Sequence, residues 1–288
     1  MQKSLFKEQN RPLRTQLLKW VGNKQKFSSE IINRFPKSFN KYHEPFMGSA
    51  AVLASLSPKK GVGSDTLKPL VEIFIKLKKE PDLLKEWYEE RWDIAHGDKK
   101  EEGYEIIKTS FNKKPNPADF LFLTRSCYGG VIRFRKDDGY MSTPCGVHEP
   151  IKPSSFNQRV DIWNERVQGC EFKCQDYKEA MSNAKTGDLV YCDPPYDFSQ
   201  SILYGGQDFV LEELYEAIEN CRERGVYVAL SIDGSKKSGK DKCNINPPKG
   251  LFETEVFIDV GRSMLRRFQM EGETLETEDV TDRLLLTY

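Results

Sequence analysis

The 288-residue chain is expected to fold as an α/β protein around a mostly parallel sheet, on three observations. Short apolar strands alternate with helical stretches, the strands open into glycine turns or end on carboxylates, and one long stretch without sustained periodicity interrupts the alternation. In a sheet of this kind ligands sit beyond the C-terminal ends of the strands.

Along the chain, Lys41 to Phe46 reads as a strand leading into Gly48, and the small-residue run Gly48 to Leu56 as a helix. Gly61 to Asp65 is a second short strand that ends in a carboxylate, and the amphipathic segment Leu67 to Lys79 follows it. Residues 81–111 carry Trp, Tyr and Leu at mixed helical spacing; Asn112 to Pro117 breaks the pattern and Phe120 to Thr124 resumes it. From Arg125 to Phe156 the chain turns to Gly, Pro, Arg and aromatics, the character of a loop-rich insertion that carries function. Gly187 to Cys192 is an apolar strand, Val210 to Arg224 a helix and Val226 to Ile232 a strand, and Phe252 to Val260 and Leu284 to Tyr288 form a closing antiparallel pair. There is no internal repeat and no low-complexity linker.

Composition excludes several classes. At 38% hydrophobic and 31% charged, with no apolar run near the roughly 20 residues that span a bilayer, no membrane segment is expected. The polar N-terminus, broken by Pro12, carries no secretory signal, so a cytoplasmic protein is inferred. Seven cysteines in no regular framework read as reduced thiols, and Cys145, His148, Cys170 and Cys174 do not have the spacing of a zinc finger. No metal is expected. The 44 basic residues equal the 44 acidic ones, yet Gln9 to Ser29 holds Arg11, Arg14, Lys19, Lys24 and Lys26 with no acid, whereas Glu271 to Asp282 is acidic. A neutral chain of this kind can carry a basic face.

The residues with the clearest chemistry are Asp193-Pro194-Pro195-Tyr196, directly after a strand. The exocyclic amine of adenine is a poor nucleophile because its lone pair is delocalised into the ring. A catalyst must accept its hydrogens and favour the pyramidal nitrogen. Asp193 and the Pro194 carbonyl are acceptors, the prolines hold that carbonyl rigidly, and Tyr196 offers a face on which a base can stack. At the first strand end, in Glu44-Pro45-Phe46-Met47-Gly48-Ser49, Gly48 permits close approach of a ligand to the backbone. Asp65 stands about twenty residues after Glu44, where Rossmann-like folds hold ribose hydroxyls. The three-glycine dinucleotide fingerprint is missing, which argues against NAD.

Together with Leu18-Lys19-Trp20-Val21-Gly22-Asn23-Lys24 and Tyr128-Gly129-Gly130-Val131-Ile132-Arg133-Phe134, with Pro144 behind it, these motifs make the chain resemble the Dam-type (class alpha) DNA adenine-N6 methyltransferases. The landmarks occur in the family's order and span most of the chain. The resemblance implies a Rossmann-like S-adenosylmethionine-dependent methyltransferase domain, assigned to residues 1–80 and 160–288, with an inserted, mainly helical and loop-rich target-recognition region at 81–159. It implies S-adenosyl-L-methionine as cofactor, contacted by Trp20 and Lys24, walled by Glu44, Phe46 and Gly48, with its ribose at Asp65 and its adenine at Asp176 and Tyr177. Asp193 would lie between cofactor and target base.

The implied partner is double-stranded DNA, contacted by Lys19, Tyr128, Arg133 and Pro144. Tyr128 looks like the aromatic that enters the helix as the target base leaves, and Arg133 like the arginine that reads a guanine. Lys236, Lys237, Lys240, Lys242 and Lys249 lie in a loop able to touch phosphates. Two departures bear on the target sequence: Gly129 stands where the family commonly has Asn, and the tail Arg262 to Glu278 lacks a polar, Gly-rich character. A GATC site is permitted by Lys19, Arg133 and Pro144, and not required. A monomer is expected, with a cognate restriction endonuclease as an optional partner. The competing readings are an adenine-N6 methyltransferase for RNA, a DNA cytosine-N4 methyltransferase, which usually has Ser where Asp193 stands, and a DNA-binding relative without activity.

Overall fold

The structure, a computed structural model, describes residues 13–195, 209–236, 241–242, 246–262 and 279–288. After α1 (Ser28–Ile32), the chain forms β1 (Tyr42–Glu44), α2 (Ala51–Leu56), β2 (Gly61–Asp65) and α3 (Lys68–Lys79). On α3 the residues Leu70, Val71, Ile73, Phe74 and Leu77 are buried, Pro69 sits in the first turn and lysines fill the last, so an apolar stripe and favourable ends act together. The helix expected from Gly48 begins instead at Ala51. Gly48 and Ala50 both take left-handed backbone, at φ +43° and +52°, and spend those residues on a tight turn. For Ala50 that conformation costs on the order of 1 kcal/mol, and it sits beside the candidate site.

Helices then follow in succession: α4 (Pro81–Ile94), α5 (Lys100–Lys113), α6 (Pro117–Ser126) and, after the loop, α7 (Pro153–Arg166). Asn116 caps α6 by accepting the Asp119 N–H at 2.8 Å, with Pro117 at the first position. α7 was not foreseen as a helix, and it runs across the 159/160 boundary drawn from the sequence. Phe156, Val160 and Trp163 on α7 belong to the same buried cluster as Leu70 and Phe74 of α3 and Tyr104 and Phe120 of the inserted helices, so one continuous core joins the two regions.

The remaining elements are β3 (Cys170–Cys174), α8 (Tyr177–Ser182), β4 (Leu189–Cys192), α9 (Leu211–Glu223), β5 (Tyr227–Lys236), β6 (Asp241–Lys242), β7 (Thr254–Arg262) and β8 (Asp279–Leu286). The strand order is β3-β2-β1-β4-β5-β8-β7, with β6 paired to β5. β3, β2, β1, β4 and β5 run parallel, and β8 lies antiparallel between β5 and β7, the closing pair expected from the sequence. The mixed α/β architecture is that of an S-adenosylmethionine-dependent methyltransferase fold. Every residue of β1 and β4 is buried, as central strands covered on both faces must be. The chain leaves β1 outward through β2 and β3 and returns to β4 on the other side of β1, so a crevice opens where β1 and β4 end. Among the described residues no helix is long and apolar enough to cross a membrane.

Before α1 the segment from Leu13 to Leu18 has no regular structure, yet Leu13, Leu17 and Leu18 are buried. Its carbonyls are bound by side chains of α6 and α7. Arg125 Nη1 donates to Gln16 O at 3.0 Å and Leu17 O at 2.8 Å, Arg159 Nη1 to Gln16 O at 2.9 Å, and Trp163 Nε1 to Thr15 O at 2.9 Å. Gln25 Nε2 donates to Leu13 O. A backbone strap is thereby fixed without a ladder of its own.

Candidate active site

A cavity of about 390 Å³ lies in the crevice beyond β1 and β4, within the size range of small-molecule sites. Its lining contains every residue that the sequence reading assigned to the donor: Trp20, Lys24, Glu44, Phe46, Gly48, Asp65, Asp176, Tyr177 and Asp193, with Pro194 and Pro195 beside them. Tyr196 lies outside the described residues.

The strap delivers Lys24 into this cavity. Its Nζ lies 2.9 Å from Asp193 Oδ1 and 3.5 Å from Asp282 Oδ2, and donates to the Gly22 carbonyl at 3.2 Å. Burial alone would depress the ammonium, but the two carboxylates outweigh it and raise Lys24 above its ordinary value. On β1, Tyr42 OH donates to Glu44 Oε2 at 2.6 Å. Burial pushes the Glu44 carboxyl up to about 8, against the pull of the Tyr42 hydrogen bond and with Asp193 adding to the rise. Near neutral pH, then, Glu44 holds its proton and Asp193 is paired.

Asp65 closes β2. Its Oδ2 accepts the Gly48 N–H at 3.2 Å and its Oδ1 the Leu67 N–H at 3.0 Å, and burial raises its pKa above the usual range. A carboxylate has about four lone-pair positions, so these bonds orient it while leaving acceptor capacity toward the cavity. Gly48 is required where it stands. A Cβ there would fall 2.7 Å from Trp20 Nε1, so the indole packs directly on the backbone of the turn. Asp176 caps α8 by accepting the Lys178 N–H at 2.8 Å. The next residue, Tyr177, stacks on Phe46 at 5.0 Å between centroids, and Phe209 meets both rings edge-on at 5.8 and 5.9 Å. The result is an apolar aromatic wall facing a carboxylate-rich one. Two side-chain atoms of lining residues, Asn23 Nδ2 and Tyr177 OH, are buried with no hydrogen-bond partner among the described residues.

The four residues expected at DNA come together on one side of the inserted region. Tyr128 donates its N–H to the Pro144 carbonyl at 2.9 Å, Arg133 N–H donates to Thr143 Oγ1 at 2.9 Å, and Lys19 packs on Gly130, where a Cβ would lie 2.7 Å from Lys19 Cβ. Tyr128, Arg133 and Pro144 are exposed. Burial and the neighbouring Arg125 and Arg159 charges lower the Lys19 ammonium. Of the lysine loop, Lys249 is exposed, Lys236 and Lys242 lie on β5 and β6, and Lys237 and Lys240 are outside the described residues.

Sequence reasoning did not single out Asn23, Phe209 or Asp282. Asn23 lay inside a quoted motif, and its orphaned amide is visible only in three dimensions. Phe209 had the signal of a lone aromatic just before the α9 helix. Asp282 had none, since it stands on β8, far along the chain from the Asp193 it joins through Lys24.

A model of the D12 class N6 adenine-specific DNA methyltransferases matches residues 20–258. The chain is 27% identical over 226 residues to a DNA adenine methylase of Vibrio cholerae, covering 74% of this chain and 79% of the relative. It is 29% identical to the retron Ec67 DNA adenine methylase of Escherichia coli, covering 63% of each. It is 30% identical to the type II methyltransferase M.MjaIII of Methanocaldococcus jannaschii, covering 62% of this chain and 68% of that one.

Glu44 makes a pH test of the site. Its folded pKa of about 8 lies above the ordinary 4.5, so between those values the folded chain keeps a proton that the unfolded chain has released. Its stabilising contribution is therefore full below about pH 4.5 and is lost as pH rises toward 8. Glu44→Gln cannot ionise and should gain roughly 2–4 kcal/mol relative to wild type between pH 5 and pH 8.5, read by urea unfolding at the two values. Parallel pH dependence of the two proteins would show that Glu44 is ionised in the folded state.

Proposed function

The chain belongs to the D12 class of N6 adenine-specific DNA methyltransferases, and from that premise we propose that it takes S-adenosylmethionine into the cavity at Lys24 and Asp193 and methylates a flipped adenine in double-stranded DNA. The observation that carries the reading is the meeting of Asp193 and Pro194 with the aromatic wall and Asp65 in one cavity at the sheet's switch point. Bound there, the donor supplies a sulfonium-activated methyl, whose carbon bonds to the adenine N6 as its bond to sulfur breaks and the electron pair stays on sulfur.

The protein's own groups supply acceptance and alignment. Asp193 and the Pro194 carbonyl accept the amine hydrogens and favour the pyramidal nitrogen, and after the bond forms the now cationic N6 releases one proton to solvent water. Lys24 holds Asp193 in place from the strap side. Phe46 and Tyr177 take the donor's adenine, with Asp176 at its polar edge, and Asp65 takes the ribose. Trp20 and Gly48 close the wall between them. Nothing in this transfer requires a Lewis acid, because alignment and amine polarisation suffice. Asp at 193, rather than Ser, favours the adenine over the cytosine amine.

Tyr128 fills the gap left by the flipped base, and Arg133 reads a guanine edge in the major groove, with Lys19 and Pro144 beside them. The geometry that supports this is their common exposed surface on the inserted region, next to the strap that carries Lys19.

Two outcomes test the assignment. Asp193→Ala should abolish turnover while leaving donor affinity within a few fold, because acceptance of the amine hydrogens matters in the transition state; near wild-type turnover would remove Asp193 from the chemistry. Arg133→Ala, assayed at fixed salt on a library of sites varied one pair at a time, should cost roughly 1–3 kcal/mol at the true site and relax selection at one position. An equal loss on all sequences would assign Arg133 to a phosphate.

A further inference from the structure

A second cavity, of about 280 Å³, lies against the sheet and shares no lining residue with the first. It opens on the sheet face where Val190 and Cys192 pack with Tyr177 and Met181 of α8, whereas Tyr42, Cys170 and Phe172 point to the opposite face, toward Phe74 of α3. α8 has six residues, so part of the face beside it stays uncovered. Side chains alternate along a strand, and Lys41 and His43 at β1, Lys60 and Val62 at β2 and Lys173 on β3 therefore share this face. Lys185, in the turn before β4, lines the cavity from the side.

Four ammoniums thus meet at one cavity, and among the described residues none of them has an ion-pair or hydrogen-bond partner. Like charges gathered in this way raise one another's energy until an anion joins them. The nearby acids do not serve. Asp188 is buried, its Oδ2 lies 3.0 Å from His43 Nε2, and the same oxygen accepts the Lys185 N–H at 3.0 Å. Glu171 stands exposed on β3, off the lining. Burial lowers the His43 imidazole against the pull of Asp188, and the Lys41 and Lys173 charges add to the fall. Both ammoniums are therefore felt at the buried ring.

The donor set selects the ligand. A carboxylate is matched best by the planar fork of arginine, and no arginine is among the described residues of this lining. Lysines are compact point charges that gather phosphate oxygens. A space of this size takes a short phosphate chain and not a nucleic-acid duplex. We propose that the cavity binds the diphosphate or triphosphate group of a small phosphorylated molecule, held by Lys41, Lys60, Lys173 and Lys185. The site is separate from methyl transfer and does not depend on it.

The test is isothermal titration calorimetry of the full chain with sodium pyrophosphate, at fixed ionic strength and without DNA. The wild type should bind one equivalent, about tenfold more tightly than orthophosphate, because the second phosphate reaches further lysines. Lys41→Gln/Lys173→Gln and, separately, Lys60→Gln/Lys185→Gln should each weaken pyrophosphate at least about tenfold. Lys113→Gln/Lys114→Gln, which removes the same charge at the exposed end of α5, should leave its affinity within about twofold. S-adenosylmethionine carries no phosphate and should not compete. No binding by the wild type, equal weakening by the α5 variant, or displacement by S-adenosylmethionine would overturn the assignment. So would a loss of duplex DNA affinity in the two cavity variants that matches their loss of pyrophosphate, which would make the cleft a nucleic-acid contact instead.

Discussion

The ion pair between Lys24 and Asp193 is the constraint on which the site depends. Lys24 is 6% exposed and Asp193 20%, so removing Lys24 would leave a largely desolvated carboxylate, a loss that ordinarily runs to several kcal/mol, whereas removing Asp193 leaves the ammonium on Asp282. The pair therefore demands that a residue near the N-terminus and a residue beyond β4 be held together to within a hydrogen-bond length. Neither is on a strand or helix. The strap achieves this through Arg125, Arg159 and Trp163, which bind carbonyls of Thr15, Gln16 and Leu17. Among the described residues no carboxylate pairs with the buried Arg125, and burial brings its guanidinium down to about 10. A cation placed there satisfies backbone acceptors rather than another charge, and in doing so fixes the path of the chain.

Under the proposed function, that arrangement ties recognition to chemistry. Arg125 lies in the last turn of α6, immediately before the Tyr128 turn, and the strap it holds presents Lys19 to that turn and Lys24 to the cavity. One short segment thus contacts both the surface assigned to DNA and the carboxylate assigned to the target amine. The helices α4 to α7 are part of the same core as α3, so they brace the strap rather than hang from the sheet. Displacement of the inserted region would be felt along the strap through these side-chain-to-carbonyl hydrogen bonds.

Much of this could be read in the sequence because local chemistry announces itself. The strand before Asp193-Pro194-Pro195, the glycine at the β1 turn and the carboxylate ending β2 each have a mechanical reason to be where they are. Two elements, α7 and α8, were missed and β3 was foreseen only at Cys174, through the resemblance, each for an identifiable cause. α7 begins with Pro153 inside a stretch that looks irregular, although Phe156, Val160 and Trp163 recur at helical spacing and are all buried. β3 is an edge strand whose Glu171 and Lys173 face solvent, so its apolar signal is only Cys170 and Phe172. α8 is one short helix of six residues, below the length at which periodicity speaks. Asp282 and the orphaned amide of Asn23 could not be found locally at all, because what defines them is a neighbour brought by the fold.

The most direct measurement of the central claim is nucleoside analysis of DNA from a host lacking DNA methylation that expresses the chain, by chromatography with mass detection. The account predicts N6-methyldeoxyadenosine, which disappears when Asp193→Ala is expressed at the same level. N4-methyldeoxycytidine, or methylated adenosine in RNA with unmodified DNA, would contradict it.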